Sequence, residues 1–201
     1  MKLAPSGQEI QTMHRRTLFA LLATSLAFSG VPAAAQAPLD IAALRLATVG
    51  AWEGKLEYRD YQADRWFGIP MKVRIEDGGD GVTLIRKADF DDGPKVGNMR
   101  ITTVDLLDTA TGQETSASFR KGRETSLETS ALRLVAPAVD ASHWTIIAET
   151  DSRDDDRPAR LRVTTVRDGD RVTTLKEVDF LDDAAEAWIQ RNRSTLTRVG
   201  G

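Results

Sequence analysis

The sequence contains no cysteine and, outside one early segment, no long apolar run. Without thiols there is no disulfide framework and no sulfur-ligated zinc or iron–sulfur centre. Histidine is nearly as scarce, with only His14 and His143. Multi-histidine metal sites are thereby excluded, and a Ser-His-Asp triad would have to rest on a single imidazole. Aromatic residues make up 6% of the chain, and neither the 15 glycines nor the 7 prolines dominate, which excludes collagen-like and low-complexity chains. No sign of charge prevails either: 27 basic residues meet 30 acidic ones, for a net charge of −3. A basic footprint for nucleic acid is missing. What remains is 201 residues at 41% hydrophobic, enough for one domain with a real core.

The early apolar segment reads as an address. Arg15 and Arg16 precede the run Leu18–Phe28, Gly30 and Pro32 break it, and Ala33-Ala34-Ala35 supplies a small-residue cleavage pattern before Gln36. The run is too short to span a bilayer as a helix and has no polar face for a buried one. Residues 1–35 are therefore expected to be a signal peptide and residues 36–201 one exported domain, in a bacterial periplasm or secreted. The Arg15–Arg16 pair fits both general export and a twin-arginine signal, and Met13 just before it is a second candidate start. Cleavage would remove three of the 27 basic and one of the 30 acidic residues, leaving the mature chain at −5. No later segment is long and apolar enough for a transmembrane helix.

Downstream, period-2 alternation takes over. In Trp52–Arg59 the residues Trp52, Leu56 and Tyr58 share one face, and Glu53, Lys55, Glu57 and Arg59 the other. Met71–Glu76 and Arg160–Val163 repeat the pattern, punctuated by Asp/Gly turns such as Asp77–Gly81 and Asp168-Gly169-Asp170. About ten strands are predicted, over 51–60, 69–76, 81–89, 96–107, 113–121, 126–135, 142–150, 159–167, 171–180 and 187–199. Two short helical pieces are predicted beside them: Ile41–Val49, capped by Asp40, and a turn over Asp182–Glu186 before the last strand. The fold class is all-β, a single antiparallel barrel, since closure removes the open edges that a chain of hairpins would leave. Charged outer faces such as Lys72/Arg74/Glu76 suit water, not lipid, so the apolar face points inward.

Gly50-Ala51-Trp52, after a short helix and at the start of the first strand, resembles the Gly-x-Trp signature of lipocalins and the wider calycin group of ligand-carrying barrels. That resemblance implies a tryptophan closing one barrel end, stacked on a basic side chain from late in the chain. Arg191, Arg193 and Arg198 are the candidates. It implies, further, a small apolar or amphipathic ligand in the lumen, with Trp52, Leu56, Tyr58, Met71, Val73, Ile75, Trp144 and Ile146 as lining candidates. Thr102, Thr164, Thr174, Asn192 and Ser194 are candidates for polar groups among them. The alternative is a plugged barrel serving as a structural or partner-binding envelope protein.

No catalytic constellation, metal site or cofactor is expected, and a monomer is. His143 falls opposite the apolar pair Trp144 and Ile146, hence toward solvent. The acidic clusters at Asp89–Asp92, Asp151–Asp156 and Asp179–Asp183 have the composition of solvated turns, and the Asp154–Asp156 run lacks the spaced ligands of a calcium loop. Tyr61, Trp66 and Phe67 are placed in the first long connection, as a lid or a partner contact.

Overall fold

A computed structural model describes residues 40–200. The expected signal peptide lies outside the described residues. A short helix, α1 (Ile41–Leu46), precedes ten strands: β1 (Gly50–Asp60), β2 (Arg65–Asp77), β3 (Thr83–Asp91), β4 (Asn98–Asp108), β5 (Gln113–Arg120), β6 (Ser126–Leu134), β7 (His143–Asp154), β8 (Arg157–Asp168), β9 (Arg171–Phe180) and β10 (Ile189–Arg198). Each strand pairs antiparallel with its sequence neighbours, and β1 pairs with β10, so the sheet closes into a barrel. Closure leaves no terminal strand with an unpaired ladder.

The helix forms because Asp40 accepts a 2.7 Å hydrogen bond from the Ala43 amide, satisfying one of the free donors of the first turn. It stops at Leu46, three residues before the predicted end, where Thr48 and Val49 bring two branched side chains and Gly50 turns to φ +141°. Alternation then sorts the strands as expected. Val73 and Leu161 are buried, and Leu56 packs against the inner cluster built on Trp52, Val73, Phe90 and Leu196. At Gly54 a Cβ would stand 1.9 Å from the Thr195 carbonyl oxygen, so only glycine lets β1 and β10 approach there.

Two further expectations fail. β2 begins at Arg65, so Trp66 and Phe67 belong to a strand, and the β1–β2 connection shrinks to residues 61–64. No helix forms over 182–186. There Asp183 accepts from the Ala185 amide and Asp182 pairs with Arg157, local side-chain bonding that competes with a helical turn.

The two ends of the barrel differ. The end carrying α1 gathers the β2–β3, β4–β5, β6–β7 and β8–β9 connections. Leu44 of α1 is wholly buried there against Trp144, Ile146, Leu132 and Leu134. At the far end the inner cluster is extended by Leu56, Ile69, Met71 and Met99, and a second cluster joins Ala159, Leu161, Val178, Phe180 and Ile189.

Candidate functional site

Trp52 is 1% exposed and lies across the floor of the helix end. Its indole N–H donates to the Thr48 carbonyl at 2.8 Å. The Arg198 guanidinium stands 4.5 Å from the ring centroid and Arg167 stands 5.7 Å away. Both arginines also serve the frayed end of α1: Arg198 donates to the Val49 and Ala47 carbonyls at 2.9 Å, and Arg167 donates to Ala47 at 2.6 Å. Carbonyls left over at a helix C-terminus accept cationic donors well. Burial, and the neighbouring Arg198 charge, hold the Arg167 pKa below its ordinary value. Gly50 completes the lock, because a Cβ there would meet the Arg198 Nη1 at 2.6 Å. The Gly-x-Trp pattern thus has a local cause: the glycine clears room for the guanidinium that covers the tryptophan.

Above this floor lies a cavity of about 440 Å³. One wall is apolar, formed by Trp52, Met71, Val73, Ile75, Phe90 and Leu196, and Trp144 and Ile146 add to it from β7. The polar groups gather mainly on β4, β5 and β6, with Ile101 and Leu132 among them and Arg86 reaching in from β3. Ser116 donates to the buried Asp105 at 2.6 Å, Arg86 approaches the same carboxylate at 3.4 Å, and Arg45 of α1 pairs with Glu114. Desolvation pushes the Glu114 carboxyl above its ordinary pKa against the opposing pull of Arg45. Glu128 and Ser130 line the cavity from β6, and Thr174 and Ser194 close the circle with a 2.6 Å hydroxyl pair.

Six of the eight lining candidates, Trp52, Met71, Val73, Ile75, Trp144 and Ile146, meet in this cavity. Leu56 and Tyr58 do not. Leu56 sits in the packed cluster nearer the far end. Tyr58 stacks on Phe67 at 5.5 Å between centroids, and burial raises its pKa. Of the three basic candidates only Arg198 covers Trp52. Arg193 points outward, binding Glu57 at 2.9 Å and lying 4.3 Å over Trp66. Its hydrogen bond, with that of Lys55, holds the Glu57 carboxyl below the ordinary range. Arg191 sits where the β9–β10 register shifts, and it pairs with Asp154 and Asp155.

Thr102 and Thr164 fall on the outer face, one residue out of phase with the lining Thr103 and Thr165, and Asn192 lies outside the lining. His143 is exposed and bonds Asp140 at 2.9 Å. The acidic clusters are tied to arginines: Asp89 to Arg100, Asp179 to Arg160, and Asp182 to Arg157.

The polar wall went unread in the sequence. The segments Gln113–Arg120 and Ser126–Leu134 carry Glu114, Ser116, Glu128 and Ser130 on one face and further polar residues on the other. Two successive strands without a fully apolar face are the signal of a wet interior sector.

No family model matches the chain, and no curated protein does. Among solved structures, Rv2717c from M. tuberculosis is similar at a TM-score of 0.55 and 14% identity, over 81% of this chain and 99% of that one. The likeness is one of fold. A protein of the DUF3598 family from Nostoc punctiforme aligns over 80% of this chain and 100% of its own at 11% identity, with a TM-score of 0.23, too loosely to inform anything further.

Proposed function

We propose that the protein is an exported, monomeric, non-catalytic carrier that holds one small amphipathic molecule in its lumen. The observation that carries this reading is the cavity of about 440 Å³ with one oily and one hydrogen-bonding wall. Pockets of a few hundred cubic ångströms, mostly apolar with a few polar groups fixing orientation, are the usual form of small-molecule sites. The apolar body of the guest lies on Met71, Val73 and Phe90, and its polar group on Ser116, Glu128 and Ser130. The lock of Gly50, Trp52 and Arg198 supports the likeness to lipocalin-type carriers. A plugged structural barrel would fill this space with side chains.

Native mass spectrometry of the protein purified from its own host tests the reading: a co-purifying small molecule is expected. An Ala148→Trp variant, which places bulk in the cavity, should lose it while remaining folded. A wild-type protein that carries nothing and binds no environment-sensitive apolar dye overturns the proposal.

A further inference from the structure

The barrel wall is not equally sealed all round. β6 pairs with β7 only over Ala131–Leu134 against Ile146–Glu149. Beyond that, Ser126–Ser130 still pairs with β5, and Thr150–Asp154 still pairs with β8, but the two edges are not laddered to each other. One bond spans the gap, from the Thr150 hydroxyl to the Thr129 carbonyl at 2.7 Å. Glu128, which is exposed, and Ser130 line the cavity from this stretch. The polar wall of the cavity therefore borders the stretch where the β6–β7 ladder is absent.

The outer surface beside the seam is unlike the rest of that end. Phe119 is 46% exposed and Leu127 73%. Ala117 pairs with Leu127, which makes Phe119 and Leu127 diagonal neighbours on adjoining strands. Beside Phe119 a groove of about 330 Å³ is lined by Arg100, Arg120, Lys121 and Arg123 with no carboxylate in its lining. Arg100 is held by Asp89 at 2.7 and 2.8 Å. Among the described residues, Arg120, Lys121 and Arg123 make no ion pair, and Glu124 is the one acid in their turn. The turns on the other flank, Asp154–Asp156 and Asp182–Asp183, offer no comparable excess of base, because Arg157 and Arg191 there are paired with their carboxylates. Apolar side chains rimmed by one sign of charge fit a surface that offers both oil and the opposite sign.

We infer that this basic, apolar patch docks the protein on an anionic lipid bilayer, with the seam held against the membrane. Lys121 and Arg123 meet lipid headgroups, while Phe119 and Leu127 enter the interface. The charge-paired turns on the other flank gain nothing from the bilayer, so the barrel is oriented by the basic side. Docking requires nothing in the lumen; loading a guest through the seam from the bilayer does, and that consequence rests on the carrier reading.

The test is co-sedimentation of the chain, as its own host produces it, with two kinds of vesicle: equal parts phosphatidylglycerol and phosphatidylcholine, or phosphatidylcholine alone. Binding to the anionic vesicles only, released by high salt, is expected. A Lys121→Gln/Arg123→Gln variant should bind about thirty-fold more weakly, from the loss of two surface charges. Phe119→Ser should weaken binding without changing its salt dependence. Unchanged thermal unfolding would establish that both variants fold. Binding to neither vesicle, equal binding to both, or equal binding by the charge variant overturns the inference. Dye uptake measured without vesicles tests the carrier reading separately, so the two failures are distinguishable.

Discussion

The helix end and the β6–β7 seam are made of the same antiparallel sheet, yet they are held by opposite means. At the helix end the polar groups around Trp52 find partners inside the protein: the indole N–H, the carbonyls of Ala47 and Val49, and the guanidinium groups of Arg167 and Arg198. Along the seam one hydroxyl bond replaces a ladder, and water must satisfy the rest. Buried and fully paired networks are rigid and costly to disturb, whereas exposed, sparsely paired edges open at low free energy. A container needs both, a floor that does not leak and a wall that can part.

The largest expected effect comes from breaking the floor. Trp52→Ala removes a fully buried indole, its stacking on Arg198, and the Thr48 bond, and should cost about 3–5 kcal/mol in urea unfolding. Leu127→Ser, at the seam, should stay within about 0.5 kcal/mol of wild type by the same measurement. Similar losses at both positions would remove the distinction between the two regions.

The seam is expected to respond in kinetics instead. The sequence contains no cysteine, so a Ser130→Cys/Thr150→Cys pair, which continues the Ala131–Glu149 register on one face of the two strands, is the sole thiol couple in the variant. Oxidation closes the edge where Thr150 already reaches the Thr129 carbonyl. Uptake and release of an apolar dye should slow about tenfold or more when the bond forms, since opening of this edge would be the rate-limiting step. Reductant should restore both rates. Unchanged rates in the oxidised protein would place the route to the lumen elsewhere.

Much of the floor was legible in the chain, and little of the seam. Trp52, Val73, Ile75, Trp144 and Ile146 sit in strands whose charged and apolar residues alternate, and that pattern leaves one way to face the core. Gly50 and Trp52 carried the lock, but the choice of Arg198 over Arg191 and Arg193 depended on register. A shift between Gln190 and Asn192 redirects Arg191, and Arg193 falls on the outer face. The polar wall was missed because in these strands the alternation is inverted: Glu114, Ser116, Glu128 and Ser130 face the cavity while Ala117, Phe119 and Leu127 face out. Trp66 and Phe67 were misplaced for a related reason. The predicted strand starts only at residue 69, after Gly68, yet that glycine is accommodated inside β2.

The smallest effect is expected at the loop that joins the two regions. The β6–β7 connection leaves the paired part of the seam and returns beneath the helix end, and it is pinned by Asp140. Hydrogen bonds from the Ser142 hydroxyl, from His143 and from the Ser142 amide lower the Asp140 pKa from 3.8 to about 2. A carboxyl whose folded pKa is depressed stabilises the fold above its unfolded pKa and loses that contribution as pH falls through the folded value. Asp140→Asn should therefore be slightly less stable than wild type above a pH of about 4, and the gap should narrow as pH falls toward about 2. The group is exposed, so solvent screening keeps the difference small. Urea midpoints measured at several pH values on both proteins provide the check. A gap that stays constant across that range would mean that the loop is held by shape and not by the charge of Asp140.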